Sequence, residues 1–590
     1  MIRQRIEQLR RQIKRQGLDA YYFSGTDPHQ SEDLPGHWQT REFITGFSGS
    51  AGFVAVTENK AALWTDSRYF LQAASELEET GIELMKLRME GTPSAEEWLA
   101  SLLTPGSVVG TDSRCISLSQ YRNFRLSLKQ KKIDLKPCGD LLSGFWYNRE
   151  PLPDSPVFEH DLKYAGLGRA EKMDKIRQLI GEAGAQSTVI TALDDLAWTF
   201  NLRGSDIICN PVFIGYGLIT ADSAQLFIAP AKVRLPLAEK LNQEGIVMKP
   251  YEAVFEELKQ LKGVIALDPG RTSQALADAI PEDVRVVEQL SAPARLKAVK
   301  SETELRHIRR TMKKDGAAMI SFLYWLDQNI GNENISDYDI GLKVEYFRSL
   351  QEGFRGASFP PIVGYGETGA LIHRRTTKEN AVPVEKEGIL LIDSGGQYVS
   401  GTTDITRTIA LSPPTPQQKA DFTRALKGMI SLTAAKFPAG TKGCNLDILA
   451  RKAMWDEGIN YGHGTSHGVG YFLNVHEGPM NIRQEFNEYP ILPGMVLSNE
   501  PGLYREGQYG IRTENMMVCV KREKTGFGQF YGFETLTLCP VDLPLIDTKL
   551  LTPTEISWIN SYHKWCYDEL SPFVNNDEKH FLSKLTLPLK

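Results

Sequence analysis

The first residues of the chain carry apolar side chains at helical spacing. Ile2, Ile6, Leu9 and Ile13 recur every three or four positions among arginines, which predicts one apolar stripe along a helix over residues 1–17. A secretory signal would instead need a continuous apolar core. The pattern therefore favours an amphipathic surface helix over a transit peptide or a membrane-surface helix.

After this helix, short apolar runs alternate with helical patterns in two successive segments. Each segment opens with a helical pattern, continues into a short predicted strand (20–24 or 187–192) and passes through a Gly/Ser turn. Further β-rich runs lie at 52–57, 61–65 and 212–219. Because such alternation is typical of α/β domains, the sequence predicts two α/β domains of similar pattern.

Two breaks divide the chain. Prolines cluster among polar residues over 150–161, and a second break lies at 291–300. After it, Ser301 and Glu304 form an S-x-x-E capping box, which predicts a helix start. We therefore predict three domains, an N-terminal α/β domain at 1–150, a second α/β domain at 151–298 and a C-terminal domain at 299–590.

The C-terminal domain mixes longer helices with strands. Strand-like runs lie at 388–394, 403–411, 495–498 and 514–520. Helical patterns lie near 302–330, 336–351 and 416–436. The predicted fold class is α/β and α+β over three domains.

Composition excludes several functional classes. The 590 residues include 67 Lys plus Arg and 73 Asp plus Glu, a formal charge of -6, which gives no case for binding nucleic acid. No apolar run approaches the ~18 residues that span a bilayer. The seven cysteines are scattered without a C-x-x-C, so neither a disulfide framework nor a cysteine zinc site is predicted. We expect a cytoplasmic protein with no nucleic-acid and no membrane partner.

Two aspartates lie on adjoining predicted strands. The apolar run Ile389–Ile392 is typical of a buried strand and ends in Asp393, while Asp404 lies among β-forming residues of the returning run. A hairpin would bring both carboxylates side by side, where they repel each other and need a cation between them. A single Asp at a strand end is usually a turn or cap residue, but this pair beside glycines makes metal binding a competitive interpretation.

Three of the ten histidines, His463, His467 and His476, fall within the Gly-rich stretch 461–479. Imidazole serves as a metal ligand and as a donor to a developing oxyanion.

Two further acids, Glu500 and Glu514, lie beside strand-like runs. Two Asp, one His and two Glu form a carboxylate-rich, thiol-free set, which suits Mn, Co, Fe or Zn in a two-metal site.

The order and spacing of these residues resemble the catalytic domain of the pita-bread metallopeptidases, which include aminopeptidase P, prolidase and methionine aminopeptidase. The resemblance extends upstream through GFSGSAG (46–52), WTDSRYFLQAA (64–74), ALDDLAWTFNLRGSD (192–206) and NPVF (210–213), which look like the long, three-domain, cytosolic type of aminopeptidase P. It implies two creatinase-N-like α/β domains followed by a C-terminal pita-bread metallopeptidase domain.

The resemblance also implies a role for each candidate side chain. The implied metal ligands are Asp393, Asp404, His467, Glu500 and Glu514. Glu500 would in addition carry a proton from the attacking water to the leaving nitrogen. His373, His463 and His476 would surround the scissile bond, with His373 also binding substrate. Arg512 would orient the substrate or an acid behind the ligands, and Glu32 would receive the substrate's ammonium group.

The activity implied by the resemblance is removal of the first residue from peptides whose second residue is proline, by attack of a hydroxide that bridges two metal ions. Manganese is the expected metal, with zinc or cobalt as alternatives, and a homodimer through the C-terminal domain is expected. Prolidase, which cleaves only dipeptides, is the nearest alternative, but its architecture normally lacks the middle domain. A catalytically inactive binding module is a further alternative, which the presence of all five ligands disfavours.

Two short motifs point to other chemistry. GYGETG (364–369) fits the dinucleotide pattern G-x-G-x-x-G, but a helix would have to follow it. GTSHG (464–468) fits the serine-hydrolase elbow G-x-S-x-G, which needs a strand before it and a helix after it, with partners such as Asp542 and His563. We regard loop glycines beside a substrate as the better interpretation of the first motif, and the second as the main enzymatic alternative.

Overall fold

The computed structural model describes residues 1–331 and 334–590. The chain forms two compact units. The N-terminal unit contains residues 1–160, 167–208 and 212–295, and the C-terminal unit contains residues 161–166, 209–211 and 296–590.

The first part of the N-terminal unit is built on one six-stranded sheet. Its elements are α1 (Ile2–Arg15), β1 (Ala20–Phe23), α2 (Thr40–Thr45), β2 (Phe53–Thr57), β3 (Ala61–Thr65), α3 (Phe70–Glu76), β4 (Glu83–Lys86), α4 (Ala95–Leu102), β5 (Val108–Asp112), α5 (Leu118–Gln130) and β6 (Asp134–Cys138). The strand order is β4-β3-β2-β1-β5-β6. The predicted amphipathic helix is confirmed, because Ile6, Leu9 and Ile13 of α1 are buried in the core of this sheet.

The next part repeats this arrangement. Its elements are β7 (Phe158–Glu159), α6 (Leu162–Ala165, within the C-terminal unit), α7 (Arg169–Glu182), β8 (Ser187–Ile190), α8 (Leu193–Thr199), β9 (Leu202–Arg203), β10 (Tyr216–Thr220), β11 (Ala224–Phe227), α9 (Leu235–Gln243), β12 (Ile246–Lys249), α10 (Val254–Leu258), β13 (Val264–Leu267), α11 (Gln274–Asp278) and β14 (Arg285–Glu288). The strand order is β12-β11-β10-β8-β13-β14.

The two six-stranded sheets share one topology. β1 is antiparallel to β2 and parallel to β5, and β8 is likewise antiparallel to β10 and parallel to β13. The predicted pair of similar α/β patterns is confirmed. One predicted strand was too long at its start, since β10 begins only at Tyr216. The preceding residues instead hydrogen-bond to a loop, where the Ile214 N–H donates to Asp206 Oδ2 at 2.7 Å.

The C-terminal unit mixes helices and sheets as predicted. Its elements, beginning with a helix that starts in the N-terminal unit, are α12 (Ala292–Ala298), α13 (Glu302–Asn329), α14 (Asp337–Ser349), β15 (Phe354–Ala357), β16 (Ile362–Tyr365), β17 (Ile389–Ser394), β18 (Gly396–Tyr398), β19 (Gly401–Thr402), β20 (Ile405–Ala410), α15 (Pro416–Thr433), β21 (Lys436–Pro438), α16 (Gly443–Trp455), β22 (Ser466–Gly468), β23 (Glu477–Ile482), β24 (Val496–Asn499), β25 (Gly502–Arg505), β26 (Tyr509–Arg512), β27 (Asn515–Thr525), β28 (Gly528–Thr535), α17 (Pro553–Leu570) and α18 (Asn576–Leu585). The predicted capping box at the start of α13 is present, with Glu304 N–H donating to Ser301 Oγ at 3.3 Å.

Helix pairs cover the sheets of this unit. The strand orders are β16-β17-β20, β15-β18-β19, β25-β26 and β21-β28-β27-β24-β22-β23. Helices α13 and α14 pack their apolar faces on the first of these sheets, and α15 and α16 pack on the six-stranded sheet. Both of these sheets thus bury one face against a helix layer, which is the usual way that such layers form a core. Within residues 1–331 and 334–590, no helix is long and apolar enough to cross a bilayer.

Candidate metal centre

The predicted hairpin carries the first two acids of the site. Strand β17 pairs antiparallel with β20, so that Asp393 lies opposite Thr406, and Asp404 immediately precedes β20. Both carboxylates are buried. Gly395 is required at the turn, because a Cβ there would lie 2.0 Å from the Thr403 carbonyl oxygen. The hairpin therefore depends on a close backbone approach that only glycine permits.

The six-stranded sheet supplies the other three predicted ligands. His467 lies in β22, Glu500 directly follows β24, and Glu514 directly precedes β27. His467 Nε2 lies 3.3 Å from Asp404 Oδ2 and 3.3 Å from Glu500 Oε1. Ligand atoms of Asp404, His467 and Glu514 all lie within 4.8 Å of one another. A set of side chains spread over more than 100 residues of sequence thus converges on one point.

The electrostatics of this cluster call for a cation. Burial raises the pKa of Asp393, Glu500 and Glu514, and the charge of Asp404 raises each pKa further. Asp393 Oδ1 and Glu514 Oε1 are buried and accept no hydrogen bond from the described part of the chain. Buried carboxylates that repel each other need a compensating charge. The donor set, four carboxylates and one imidazole, fits divalent metal ions.

Hydrogen bonds fix the orientation of His467 and Glu500. His467 Nδ1 lies 2.9 Å from the Gly468 carbonyl oxygen, to which it donates, so that Nε2 faces the acids as the candidate ligand atom. The Ser498 hydroxyl accepts from the His467 backbone N–H at 3.0 Å and donates to Glu500 Oε1 at 3.1 Å. Such support is typical of metal ligands, whose ring orientation is set by the second nitrogen.

Arg512 is buried behind the acids. It donates to Asp393 Oδ2 at 2.5 Å and to the Tyr504 hydroxyl at 2.5 Å. The Tyr504 hydroxyl in turn lies 2.9 Å from His463 Nε2, and burial raises the pKa of this phenol to about 12. A continuous path of hydrogen bonds therefore links Asp393 to His463. The sequence reasoning missed Tyr504, although its place in a strand just after NEPG was a usable signal.

The other predicted site residues, His476, His373 and Glu32, lie on three different segments of the chain. The His476 ring lies edge-on to the His467 ring, with centroids 4.3 Å apart. His373 lies in a turn, and the adjacent Arg374 pairs with Asp337. Glu32 lies in the N-terminal unit, where its carboxylate is 3.9 Å from Arg68 Nη1.

The two alternative motifs have structural explanations. The GYGETG segment forms the end of β16 and a 3-10 turn at Gly366–Ala370, not the α-helix that a dinucleotide site needs. Its glycines permit backbone contact, since a Cβ at Gly510 would lie 1.7 Å from the Gly369 carbonyl oxygen. The GTSHG serine, Ser466, is buried within β22, and residues 469–500, all of them described, contain no helix. The elbow of a serine hydrolase is therefore absent from this segment.

Comparison with known families assigns the class. Residues 306–521 match the family described as "Metallopeptidase family M24", and residues 529–589 match the "C-terminal region of peptidase_M24". Residues 5–144 and 148–304 each match a "Creatinase/Prolidase N-terminal domain". The fold is that of an M24 metallopeptidase, and the repeated N-terminal match agrees with the shared topology of the two N-terminal sheets.

Relatives that align over nearly the full length narrow the assignment to one family within this class. "Probable Xaa-Pro aminopeptidase P" of Laccaria bicolor is 39% identical, over 98% of this chain and 91% of that protein. "Aminopeptidase P2" of Arabidopsis thaliana is 37% identical, over 97% of this chain and 86% of that protein. The chain belongs to the aminopeptidase P family of M24 metallopeptidases.

Solved structures agree with this assignment. The crystal structure of X-prolyl aminopeptidase from Caenorhabditis elegans, described as a cytosolic enzyme with a di-nuclear active site, matches with a TM-score of 0.96 and 31% identity over 100% of both chains. An Xaa-Pro dipeptidase from Bacillus anthracis shares the fold over 64% of this chain and 99% of its own, with a TM-score of 0.51 and 24% identity.

Proposed function

We propose that this protein is a metal-dependent Xaa-Pro aminopeptidase, which hydrolyses the bond between the first residue of a peptide and a following proline. The observation that supports this most is the convergence of the buried Asp404 and Glu514 with the half-buried His467. It lies in a chain that aligns end to end with an X-prolyl aminopeptidase of known structure.

Two divalent metal ions are part of this proposal. Asp393, Asp404, His467, Glu500 and Glu514 would hold them, in keeping with the two buried carboxylate oxygens that accept no hydrogen bond from the described residues. When bound, such ions polarise a carbonyl group and lower the pKa of water. Manganese is our proposed metal, with zinc or cobalt as alternatives, because the carboxylate-rich set without thiols suits these ions.

Glu500 is the proposed proton carrier. Its carboxylate lies next to His467 Nε2 and is oriented by the Ser498 hydroxyl. The nitrogen of the scissile bond, like that of any peptide bond, has to gain a proton to leave as an amine. In our proposal Glu500 accepts a proton from the attacking water and transfers it to that nitrogen.

Three histidines are proposed to surround the scissile bond. His476 lies against His467, and His463 is oriented by the Tyr504 hydroxyl, while His373 would contact the substrate from its turn. Imidazole donors placed beforehand around a carbonyl stabilise the charge that develops on its oxygen. Arg512 is proposed to orient Asp393, which it contacts directly.

The N-terminal unit is proposed to contribute to peptide binding through Glu32, as the acceptor for the substrate's ammonium group. We also retain the division into domains at 1–150, 151–298 and 299–590 as a proposal. The two creatinase-type matches, at 5–144 and 148–304, support it.

A cytosolic location and a homodimer complete the proposal. The relative from C. elegans is described as cytosolic, and all seven cysteines are free thiols, as expected in a reducing compartment. Light scattering coupled to size exclusion tests the dimer, because a mass of one chain, 66.0 kDa, would contradict it.

Peptide hydrolysis with defined substrates tests the activity. Metal-loaded protein is incubated with Arg-Pro-Pro, Gly-Pro and Arg-Ala-Ala, with and without chelator. We expect release of Arg from Arg-Pro-Pro alone, and loss of this activity with chelator. Cleavage of Gly-Pro alone would identify a prolidase, and activity that survives chelation would contradict the metal mechanism.

A pair of matched variants locates the activity. Asp404→Asn removes one charge from the buried cluster, whereas Asp456→Asn removes one from the exposed end of α16. We expect Asp404→Asn to lose both activity and bound metal, measured by elemental mass spectrometry, and Asp456→Asn to keep both. No hydrolysis of any peptide by protein that holds two metal ions would favour a binding module instead.

A further inference from the structure

The carboxylate of Glu477, the residue after His476, is buried between two lysine ammonium groups. Lys297 Nζ donates to Glu477 Oε2 at 3.2 Å, and Lys300 Nζ donates to Oε1. Lys300 Nζ also donates to the Lys297 carbonyl oxygen at 2.8 Å. The side chains of Lys297, Lys300 and Glu477 are only 3%, 1% and 1% exposed.

Packing alone does not explain this cluster. Each buried charge is desolvated at a cost, and buried ion pairs are often no more stable than apolar side chains of similar volume. Here two cations share one carboxylate, so the charges of the three side chains do not cancel. Such a costly arrangement is expected where a defined geometry matters.

The cluster is directly connected to two histidines of the site. Glu477 begins β23, and its partner in the neighbouring strand is Gly468, the residue after His467. The two backbones touch, since a Cβ at Gly468 would lie 2.3 Å from the Glu477 carbonyl oxygen. The His476 ring packs edge-on to the His467 ring. A shift of Glu477 would therefore move the ring of His476 and the strand that carries His467.

The lysines themselves are anchored to a third part of the site. The Lys300 backbone N–H donates to the Gly494 carbonyl oxygen at 2.9 Å, and Val299 forms a β-bridge with Met495. Met495 leads into β24, and Glu500 directly follows that strand. Residues 297–300 are thus held beside the start of β24, the strand that Glu500 follows, and their lysines contact Glu477, the first residue of β23 and the neighbour of His476 in the chain.

We propose that Lys297 and Lys300 are positioning residues for the reaction, which hold the His476 ring in place through the carboxylate of Glu477. Both lysines are buried, so in this proposal they act through Glu477 and not on the substrate. The inference rests on the proposed function, because the role assigned to His476 is to meet the substrate carbonyl.

Substitution of Lys300, with a matched control at another lysine, tests the inference. Lys300→Met removes the ammonium group at similar volume. The control is Lys427→Met in the same unit, because Lys427 Nζ likewise donates to a carboxylate, that of Glu555 at 2.8 Å, and to a carbonyl oxygen, that of Leu550 at 2.9 Å.

The two variants differ in the expected kinetics. We expect Lys300→Met to lower kcat for Arg-Pro-Pro roughly 10- to 100-fold, since small displacements of a catalytic group have effects of this size. KM should stay within about twofold. Lys427→Met should lower the melting temperature without changing kcat. Glu477→Gln is the second variant in case Lys300→Met fails to fold, and the same loss of kcat is expected from it.

A double-mutant cycle separates positioning from general destabilisation. If Lys300 acts through His476, Lys300→Met causes no further loss of kcat in a His476→Ala background. Equal losses in both backgrounds would overturn the proposal, as would an unchanged kcat in folded Lys300→Met protein.

A measurement that does not depend on catalytic activity tests the inference separately from the proposed function. In metal-free protein labelled with ¹⁵N-histidine, the ring signals of His476 are assigned by their loss in His476→Ala. We expect these signals to shift in Lys300→Met and to stay in place in Lys427→Met. If the wild type cleaves no peptide while the signals shift as expected, the proposed function fails and the coupling stands. Unshifted signals refute the coupling whatever the activity.

Discussion

His563 is a buried histidine of helix α17, and its uncharged ring accepts a hydrogen bond that holds this helix in place. The backbone N–H of Val541 donates to its Nε2 at 3.1 Å. Burial lowers the pKa of His563 to about 4, and the charge of Arg407 lowers it as well. Protonation of Nε2 would remove this acceptor and place a second positive charge in the same buried region.

The sign and size of the effect follow from linkage. A histidine whose folded-state pKa is depressed stabilises the fold above its unfolded pKa of 6.5, and this stability is lost as the pH falls toward about 4. With these two values, the free energy of unfolding falls by about 2 kcal/mol between pH 7.5 and pH 5 because of His563 alone. This corresponds to a factor of roughly 30 in the equilibrium constant for unfolding.

Hydrogen exchange measures this change in stability within α17 itself. A local measurement is needed because a chain of several domains does not unfold in one step. Peptides covering residues 553–570 are followed in metal-free protein at pH 7.5 and pH 5, with correction for intrinsic exchange rates. The control is His563→Gln, whose amide oxygen can accept from Val541 without titrating. We expect wild-type protection to fall about 30-fold more than that of the variant.

Comparing wild type with His563→Gln cancels the effect of the other titrating groups on protection. Asp542, whose pKa burial raises to about 7, contributes equally to both proteins. If wild type and His563→Gln lose protection equally, the reasoning from the buried neutral ring is refuted.

Two further changes test the site. Tyr504→Phe removes the hydroxyl that accepts a hydrogen bond from Arg512. We expect kcat to fall roughly 10-fold while the metal content stays unchanged. An unaltered kcat would contradict the proposed hydrogen-bond path. Gly395→Ala places a Cβ 2.0 Å from the Thr403 carbonyl oxygen, which should destabilise the hairpin by about 1–3 kcal/mol and reduce metal retention. Gly526→Ala, where a Cβ meets nothing within 4 Å, is the control and should change neither the melting temperature nor the metal content.

The elements of the site hairpin were predictable because they depend on local pattern. The apolar run before Asp393 favours a buried strand, and the glycines before Asp404 favour a turn, so that pairing within about 20 residues follows from the sequence. The structure confirms this pairing. The capping box at Ser301 was predictable for the same reason, since both of its hydrogen bonds lie within one helical turn.

Contacts between distant segments were not predictable from local pattern. Lys300 and Glu477 are 177 residues apart, and a lysine near a domain boundary is usually solvated. Tyr504 was missed because its hydroxyl gains its role only from Arg512 and His463. The GYGETG glycines have a local pattern that fits a dinucleotide site, but the structure uses Gly369 for contact with Gly510.

By itself, the sequence determined most helices and strands, the two similar α/β patterns and the residue types available for metal binding, because burial periodicity and turn chemistry act over a few residues. The assignment of five ligands came from resemblance and not from spacing. Only the tertiary structure decided which side chains meet. It brings ligand atoms of Asp404, His467 and Glu514 within 4.8 Å of one another. The physical reason is that the pairing of strands far apart in the chain places these acids together and excludes water, and their need for a cation arises from that burial.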